Sequence, residues 1–310
     1  MTVAQTEKAK TKPKIEGRPG QTSPWLASPT VIFLAAVIGI PLAITLVYSL
    51  LDRAKIGMGV VWTFNPKAYK DLFVIENLDG TTGLDTRYLK VMWNSFKYAG
   101  ITTIVTIVLS IPIAMWIATR AESKRNILVA AVTLPFWISI LIRTYGLRQI
   151  IEDNGPIGWI MHKVGYASFH IIYTPIATVI GLIYVFLPFM ILPIYASAER
   201  FDFRFAEAAY DLGAKRWTVF RRIVIPAIRP GIYAGIALVF IPALGSFLQS
   251  DMLGGGKTNM IANMIALNFG QARNWPFGCA LSVFLILITL LFVWIIRKLG
   301  ARTGTEVKLI

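Results

Sequence analysis

The stretch "ERFDFRFAEAAYDLGAKRWTVFRRIVIPAIRPG", residues 199–231, separates two long apolar runs of the chain. Its first half has an apolar stripe and a parallel polar stripe at the spacing of an amphipathic helix. The apolar stripe is Phe201, Phe205, Ala208 and Leu212, and the polar stripe is Arg200, Arg204, Glu207 and Asp211. Asp202 is placed to cap this helix, and Gly213 is placed to end it in a left-handed conformation.

A second short helix is expected in the other half of this stretch. Trp217, Phe220 and Val224 fall on one side of it. Pro226 and Pro230 are expected to stop it before the next apolar run. One alternative for the whole stretch is a basic amphipathic helix lying on anionic lipid. The acids Glu207 and Asp211 on the polar face favour insertion into a groove of another protein.

The composition around this stretch is that of a membrane protein. The 310 residues are 55% hydrophobic and 15% charged, against about 25% charged residues in soluble domains. Six apolar segments are long enough to cross about 30 Å of hydrocarbon as helices. They lie near residues 30–51, 98–119, 127–145, 173–197, 232–250 and 279–296. We therefore predict an all-α polytopic membrane protein with six transmembrane helices.

The distribution of Lys and Arg predicts the orientation and the domain organisation. With the N-terminus in the cytoplasm, 19 of the 31 Lys and Arg residues fall inside, as the positive-inside rule requires. Residues 1–24 form a predicted flexible basic tail, and residues 25–310 form the transmembrane domain. Residues 52–97 are its long external loop, and residues 199–231 lie in the cytoplasm. The prediction is N-in and C-in.

The segment "DMLGGGKTNM", residues 251–260, resembles a phosphate-binding loop but fails its requirements. The P-loop glycine five residues before the one that precedes the Lys is replaced by Asp251. The segment also follows an apolar span rather than a strand, and the predicted topology puts it outside the cell. We expect three glycines that turn the chain sharply, followed by a short surface helix over residues 259–269 and a last span starting at 274–276.

Residues that would support catalysis or metal binding are missing from the pattern. The chain has one cysteine, Cys279, and two histidines, His162 and His170, without a carboxylate cluster near them. No nucleophile–base pair or carboxylate dyad stands in or near the spans, so we predict no catalytic residues, no metal site and no cofactor. The basic residues lie between apolar runs, which argues against nucleic acid.

At residues 207–226 the sequence resembles a known family. Glu207-Ala208-Ala209, then Gly213 after three residues, then Ile223-x-Ile225-Pro226 looks like the EAA loop of permease subunits of binding-protein-dependent ABC importers, with Ile225 where the family usually has Leu. The resemblance implies the type I importer permease fold and a coupling helix that docks on a separate cytoplasmic ATPase dimer. The residues it assigns to coupling are Glu207, Ala208, Ala209, Gly213, Ile223 and Pro226.

Two further segments, 134–158 and 240–282, resemble the spermidine/putrescine branch of these permeases. That resemblance implies a polyamine cargo and a multi-pass location in the bacterial inner membrane. It also implies a related second permease chain and a periplasmic substrate-binding protein as partners. Many members of this branch have Glu where Ser246 stands. A permease for another small solute and, less well supported, a secondary transporter or channel stay open as alternatives.

The residues expected along the substrate pathway lie at the outer ends of the spans. They are Asp251, Gln249, Ser246, Trp137 and Tyr145. Asp251 either attracts an amine or is a solvated loop residue. The two aromatic residues either offer cation–π faces or anchor the chain at the membrane interface. Arg143, which would repel a cation, is expected to pair with Asp153 or to cap carbonyl groups.

Overall fold

The computed structural model describes residues 24–54, 59–76, 82–165 and 170–302. The predicted basic tail, apart from its last residue, lies outside the described residues. By contacts the chain divides after Ile44 into two units. The first described element is helix α1, Pro24–Tyr48. Apolar side chains around it, such as Phe33 and Ile38, are exposed, as in a helix that faces lipid.

The unit from Thr45 onward is mainly helical. Its long helices are α3 (Thr86–Ala118), α7 (Pro175–Glu199), α10 (Ile225–Leu244) and α13 (Trp275–Arg302). Its shorter helices are α2 (Lys67–Lys70), α4 (Glu122–Thr133), α5 (Ile140–Ile151), α6 (Pro156–Lys163), α8 (Arg204–Asp211), α9 (Arg216–Val219), α11 (Leu248–Gly254) and α12 (Ile261–Phe269). A 3-10 turn spans Leu134–Trp137, and a π turn spans Phe220–Val224.

The predicted external loop 52–97 is more structured than the sequence indicated. It contains α2 and the first turns of α3, which begins twelve residues before the predicted span. It also contains two short antiparallel pairs, β1 (Leu51–Arg53) with β2 (Val60–Phe64) and β3 (Val74–Glu76) with β4 (Thr82–Leu84). Asp85 caps α3 by accepting from the Arg87 amide at 2.9 Å, which fixes the early start. The strands are exceptions within an otherwise helical fold.

Six spans are present if one bent pair counts as a single span. Within the described residues, five helices are long and apolar enough to cross a membrane. The predicted third span, 127–145, is not one helix. The chain bends by 95° between Glu122–Trp137 and Ile140–Lys163. Pro135 has no amide hydrogen to continue the α-helical ladder, so the chain forms a 3-10 turn there and restarts after Ser139.

The fifth span also differs from the prediction. It begins earlier than 232, because α9, the π turn and α10 form one helical stretch over Arg216–Leu244. Pro226 and Pro230 therefore do not stop a helix, as the sequence analysis expected. Pro226 lies at the junction of the π turn and α10, where the Ile225 amide donates to the Phe220 carbonyl five residues back and the ordinary α-helical pattern is already interrupted. The span ends at Leu244, so residues 248–254 form the separate helix α11.

The core of this unit is formed by α3, α7 and α10. Ile117, Leu182, Met190, Ile194 and Ile228 are among its fully buried side chains. Small residues allow close helix contacts. A Cβ on Gly231 of α10 would lie 2.3 Å from the Pro193 carbonyl oxygen of α7. Close approach through glycine is typical of membrane helix pairs.

The last span packs on this core and on the external segment. Phe292 of α13 stacks on Phe240 of α10 with ring centroids 3.9 Å apart. A second buried cluster joins α2, α12 and α13 through Ala68, Ile261 and Phe277. The helix α12 confirms the short helix expected near 259–269. The start of α13 at Trp275 confirms the expected start of the last span.

Candidate coupling and transport site

The coupling loop, defined as residues 199–231, folds as its local signals predict. The carboxylate of Asp202 accepts a hydrogen bond from the Arg204 amide at 3.0 Å and so caps α8. Gly213 has a φ of 78°, a conformation that L side chains rarely adopt. The Gly213 and Ala214 amides then donate to the last carbonyls of α8, in the pattern of a Schellman motif. The helix and both of its ends are confirmed.

The apolar stripe of α8 is exposed. Phe205 is 66% exposed and Leu212 is 89% exposed, and Ala208 between them is also exposed. The side of α8 that packs on the rest of the chain carries Ala206, which is buried. Burying such a stripe is the main source of stability for an amphipathic helix. The surface formed by Phe205, Ala208 and Leu212 is therefore an apolar face that no described residue covers.

The acid Glu207 of the coupling loop lies on a different side of α8. Glu207 lines a cavity of about 660 Å³ between the coupling loop and the C-terminal end of α3. Phe203 and Tyr210 of the loop and Met115 and Thr119 at the end of α3 also line it. The walls are mainly apolar, so a carboxylate there is available to a cationic side chain that enters the cavity.

The remaining predicted coupling residues connect α8 to the fifth span. Ala209 and Ile223 are half-buried, and Ile223 lies in the π turn. Pro226 follows in the first turn of α10. A π turn inside an α-helix often occurs at functional sites. The coupling loop is thus joined to α10 without a flexible linker.

The predicted pathway residues at the other end of α10 do not form one cluster. Gln249 on α11 is fully buried, and its amide donates to the Thr144 hydroxyl at 3.1 Å. The Ser246 hydroxyl donates to Oε1 of the Gln249 side chain. Thr144 in turn donates to the Ile140 carbonyl at 2.8 Å. These three side chains form a hydrogen-bonded joint between α5 and α11, which the sequence analysis did not foresee for Thr144.

The other three predicted pathway residues are exposed. Asp251 lies on α11 rather than in a loop, and Trp137 and Tyr145 lie on either side of the bend. Trp137 is 89% exposed and Tyr145 is 49% exposed. These side chains are free to contact lipid, substrate or a partner.

Arg143 does not have the partner that the sequence analysis expected. Asp153 instead pairs with His170, with 3.0 Å between Oδ2 and Nε2. Arg143 is 9% exposed, and its Nε and Nη1 atoms have no hydrogen-bond partner among the described residues. The expected pairing fails because the turn after α5 directs Asp153 to the segment before α7.

The glycine turn expected after the fifth span is present at 254–256. Gly255 and Gly256 have positive φ values of 55° and 75°. The turn is held against the start of α7, where the Thr178 and Thr258 hydroxyls lie 2.9 Å apart. The Tyr173 amide donates to the Leu253 carbonyl at 2.7 Å. Within the described residues, no group of three or more His, Cys, Asp and Glu is arranged to hold a metal.

A family comparison accounts for this arrangement. Residues 81–305 match the family described as "Binding-protein-dependent transport system inner membrane component". The chain belongs to this family. The permease is accordingly a multi-pass protein of the inner membrane and a subunit of an ABC importer.

Individual relatives and solved structures agree with this assignment. The permease is 38% identical over 237 residues to the spermidine/putrescine transport system permease PotB of Haemophilus influenzae, covering 76% of this chain and 82% of that one. It is 39% identical over 242 residues to PotB of Escherichia coli, covering 77% and 87%. A crystal structure of a bacterial alginate ABC transporter matches 91% of this chain and 95% of that one, with a TM-score of 0.69 and 19% identity, and shows the same fold.

Proposed function

We propose that the permease carries a polyamine of the putrescine and spermidine class from a periplasmic binding protein into the cytoplasm. The observation that carries this proposal is the identity of 38–40% with spermidine/putrescine permeases over about three quarters of the chain. The similarity to a probable sulfate transport system permease of Chlorella vulgaris is lower, at 27% identity over 188 residues. Exposed Asp251 and Tyr145 offer a carboxylate and an aromatic face, the groups that bind alkylammonium ions.

We further propose that a separate ATPase dimer docks on α8 and supplies the energy. The exposed stripe of Phe205, Ala208 and Leu212 supports this, because an apolar helix face laid in a groove is a common mode of recognition. The acid Glu207 beside the cavity supports a charged contact with the same partner. In this proposal the permease is not itself an enzyme, the coupling loop is cytoplasmic, and both termini are on that side.

The proposed assembly has two further components. A second permease subunit, a chain related to this one, completes the transmembrane pathway, and a periplasmic binding protein delivers the solute. The exposed apolar side chains of α5, such as Leu141 and Ile142, offer a surface for the second subunit within the membrane. The domain boundaries proposed from the sequence fit this assembly, with residues 52–97 facing the binding protein.

A permease for a less cationic solute is the second candidate. The observation that favours it is the guanidinium of Arg143, which is buried next to Thr144 in the joint with Gln249. A positive charge without a counter-ion in a poorly solvated region repels an amine over several ångströms. Ser246, which belongs to the same joint, is uncharged and adds no attraction for an amine.

The cargo is tested by uptake into proteoliposomes that contain the permease, its second permease subunit, the ATPase and the binding protein. We expect ATP-dependent uptake of labelled spermidine or putrescine, competed by either amine and not by sulfate. Vesicles without ATP are the control. Uptake of a neutral or anionic solute in preference to both amines would contradict the polyamine assignment and favour the second candidate.

Coupling is tested by Glu207→Lys. We expect this variant to insert into the membrane normally. Its affinity for the ATPase is expected to fall at least about thirtyfold, which corresponds to about 2 kcal/mol of binding free energy for a central interface residue. ATP-dependent uptake is lost with it. Glu122→Lys is the control, because Glu122 is also an exposed acid in the first turn of a short helix. Full uptake by Glu207→Lys would refute the coupling role.

A further inference from the structure

An ion pair ties the start of the bent span to the beginning of the coupling loop. Arg125 lies in the first turn of α4, and Glu199 is the last residue of α7. The Arg125 Nη2 atom lies 3.3 Å from the Glu199 Oε1 atom. Their side chains are 25% and 38% exposed, so the pair is shielded from solvent in part. Such a pair is screened less by salt than a fully exposed one.

The environment of the pair makes it more than a surface contact. The Arg125 Nε atom is buried and has no hydrogen-bond partner within the described residues. Tyr195, one turn before Glu199 on α7, is buried and screens this side of the pair from solvent. The Arg125 guanidinium is therefore held against α7 by Glu199, and removing that carboxylate leaves a partly buried charge without a counter-ion.

The packing of α4 explains why this pair matters. None of the twelve residues of α4 is buried, and only partly buried side chains, among them Leu128, Val129 and Val132, pack this helix against the core. Glu199, on the other side of the pair, is the first residue of the coupling loop, and α8 begins five residues later at Arg204. Only the short segment between Glu199 and Arg204 therefore separates α8 from the ion pair with α4.

We infer that Arg125 and Glu199 are positioning residues that transmit a displacement of the coupling loop to the bent span, α4 and α5. This inference rests on the proposed docking of an ATPase on α8. The ion pair would be a second route by which movement of the coupling loop reaches the spans, beside the covalent connection through α9 and α10. It assigns to the pair a role in the efficiency of transport rather than in the binding of either partner.

The inference is tested by the number of solute molecules imported per ATP hydrolysed. The complete transporter is reconstituted with Glu199→Gln or Arg125→Gln, and with Glu122→Gln and Lys124→Gln as controls of the same charge change on exposed residues of α4. We expect the two pair variants to assemble and to hydrolyse ATP while the import ratio falls about fivefold, the upper range for a partly exposed pair. The controls keep the wild-type ratio.

Exchanging the charges of Arg125 and Glu199 tests whether the ion pair itself, rather than either residue alone, determines the import ratio. The double variant Arg125→Glu with Glu199→Arg restores an ion pair, and we expect it to recover most of the import ratio. Arg125→Lys, which keeps a charge at this position, is expected to retain part of it. An unchanged ratio in both single variants, or equal loss in pair and control variants, would overturn the inference. So would a double variant no better than the singles.

A distance measurement keeps this test separate from the docking proposal. Spin labels on Ser123→Cys in α4 and Asp211→Cys in α8, both exposed, report the separation of the two helices in the permease. We expect Glu199→Gln to broaden that distance distribution and Glu122→Gln to leave it unchanged. If no ATPase associates with the wild-type protein, the docking proposal fails, whereas this measurement still shows whether the ion pair positions α4 relative to α8. An unchanged distribution in Glu199→Gln would reject that positioning role, whether or not an ATPase docks.

Discussion

Gly255 and Gly256 share a left-handed backbone but differ in what surrounds them. A Cβ on Gly255 would lie 2.2 Å from the Tyr173 Cδ1 atom, whereas one on Gly256 would meet nothing within 4 Å. The Tyr173 ring cannot easily retreat, because its hydroxyl accepts a hydrogen bond from Arg148 at 2.8 Å. The two neighbouring glycines therefore separate the cost of backbone strain from the cost of a steric clash.

Gly256→Ala is expected to destabilise the permease by about 1–2 kcal/mol, the cost of a left-handed alanine. Gly255→Ala is expected to cost about 1–3 kcal/mol more, since the methyl group overpacks against Tyr173. The thermal unfolding midpoints of the purified variants in detergent compare the two losses. Equal midpoints would mean that the Tyr173 ring moves aside, contrary to the contacts described above.

The helices whose ends are marked by capping residues in the sequence were predictable. The helix α8 was predicted because Asp202 and Gly213 act within one turn of its ends. The start of α13 was predicted for the same reason, and the Asn274 side chain accepts from the Phe277 amide there. A cap depends on neighbours in the sequence, so the sequence suffices to locate it.

The bend in the third span was only partly predictable. Pro135 marked the place where the helix is interrupted, but the angle of 95° depends on what the two halves pack against. The residues on either side of the break are equally apolar, so their periodicity carries no sign of a change in direction. Pro226 and Pro230 were expected to end a helix but do not, because the π turn before them continues into α10 as one helical stretch.

In the candidate site, too, residues that are close in sequence were predictable and contacts between distant residues were not. The coupling residues are close in sequence, and their pattern located them together. The joint between Thr144 and Gln249 links residues 105 positions apart, and hydroxyl and amide side chains are too common to predict such a pairing. Burial of Gln249 also depends on how α11 packs against α5, which only the folded chain reveals.

For the whole molecule, the proposed orientation places the two turns at the ends of α7 on opposite sides of the membrane. The glycine turn contacts Thr178 near the start of α7, and α8 follows its end. Lys257 and Asp211 are exposed residues at these two places. Because α7 has 25 residues, which rise about 1.5 Å each, its ends are far enough apart to span the hydrocarbon.

Cysteine labelling in intact cells tests this orientation. A membrane-impermeant maleimide is expected to react with Lys257→Cys from outside the cell. Asp211→Cys is expected to react only after the membrane is permeabilised. The wild-type permease, treated in the same way, provides the background. Reaction of Asp211→Cys in intact cells would place the coupling loop outside and would also remove the basis for ATPase docking.

The position of the single thiol has a practical consequence. Cys279, the chain's one cysteine, is 3% exposed and lies within α13. A side chain with so little exposed surface is poorly accessible to a reactive dye in water. The natural protein is therefore already a suitable background for single-molecule fluorescence, since each dye attaches at the one position chosen for it.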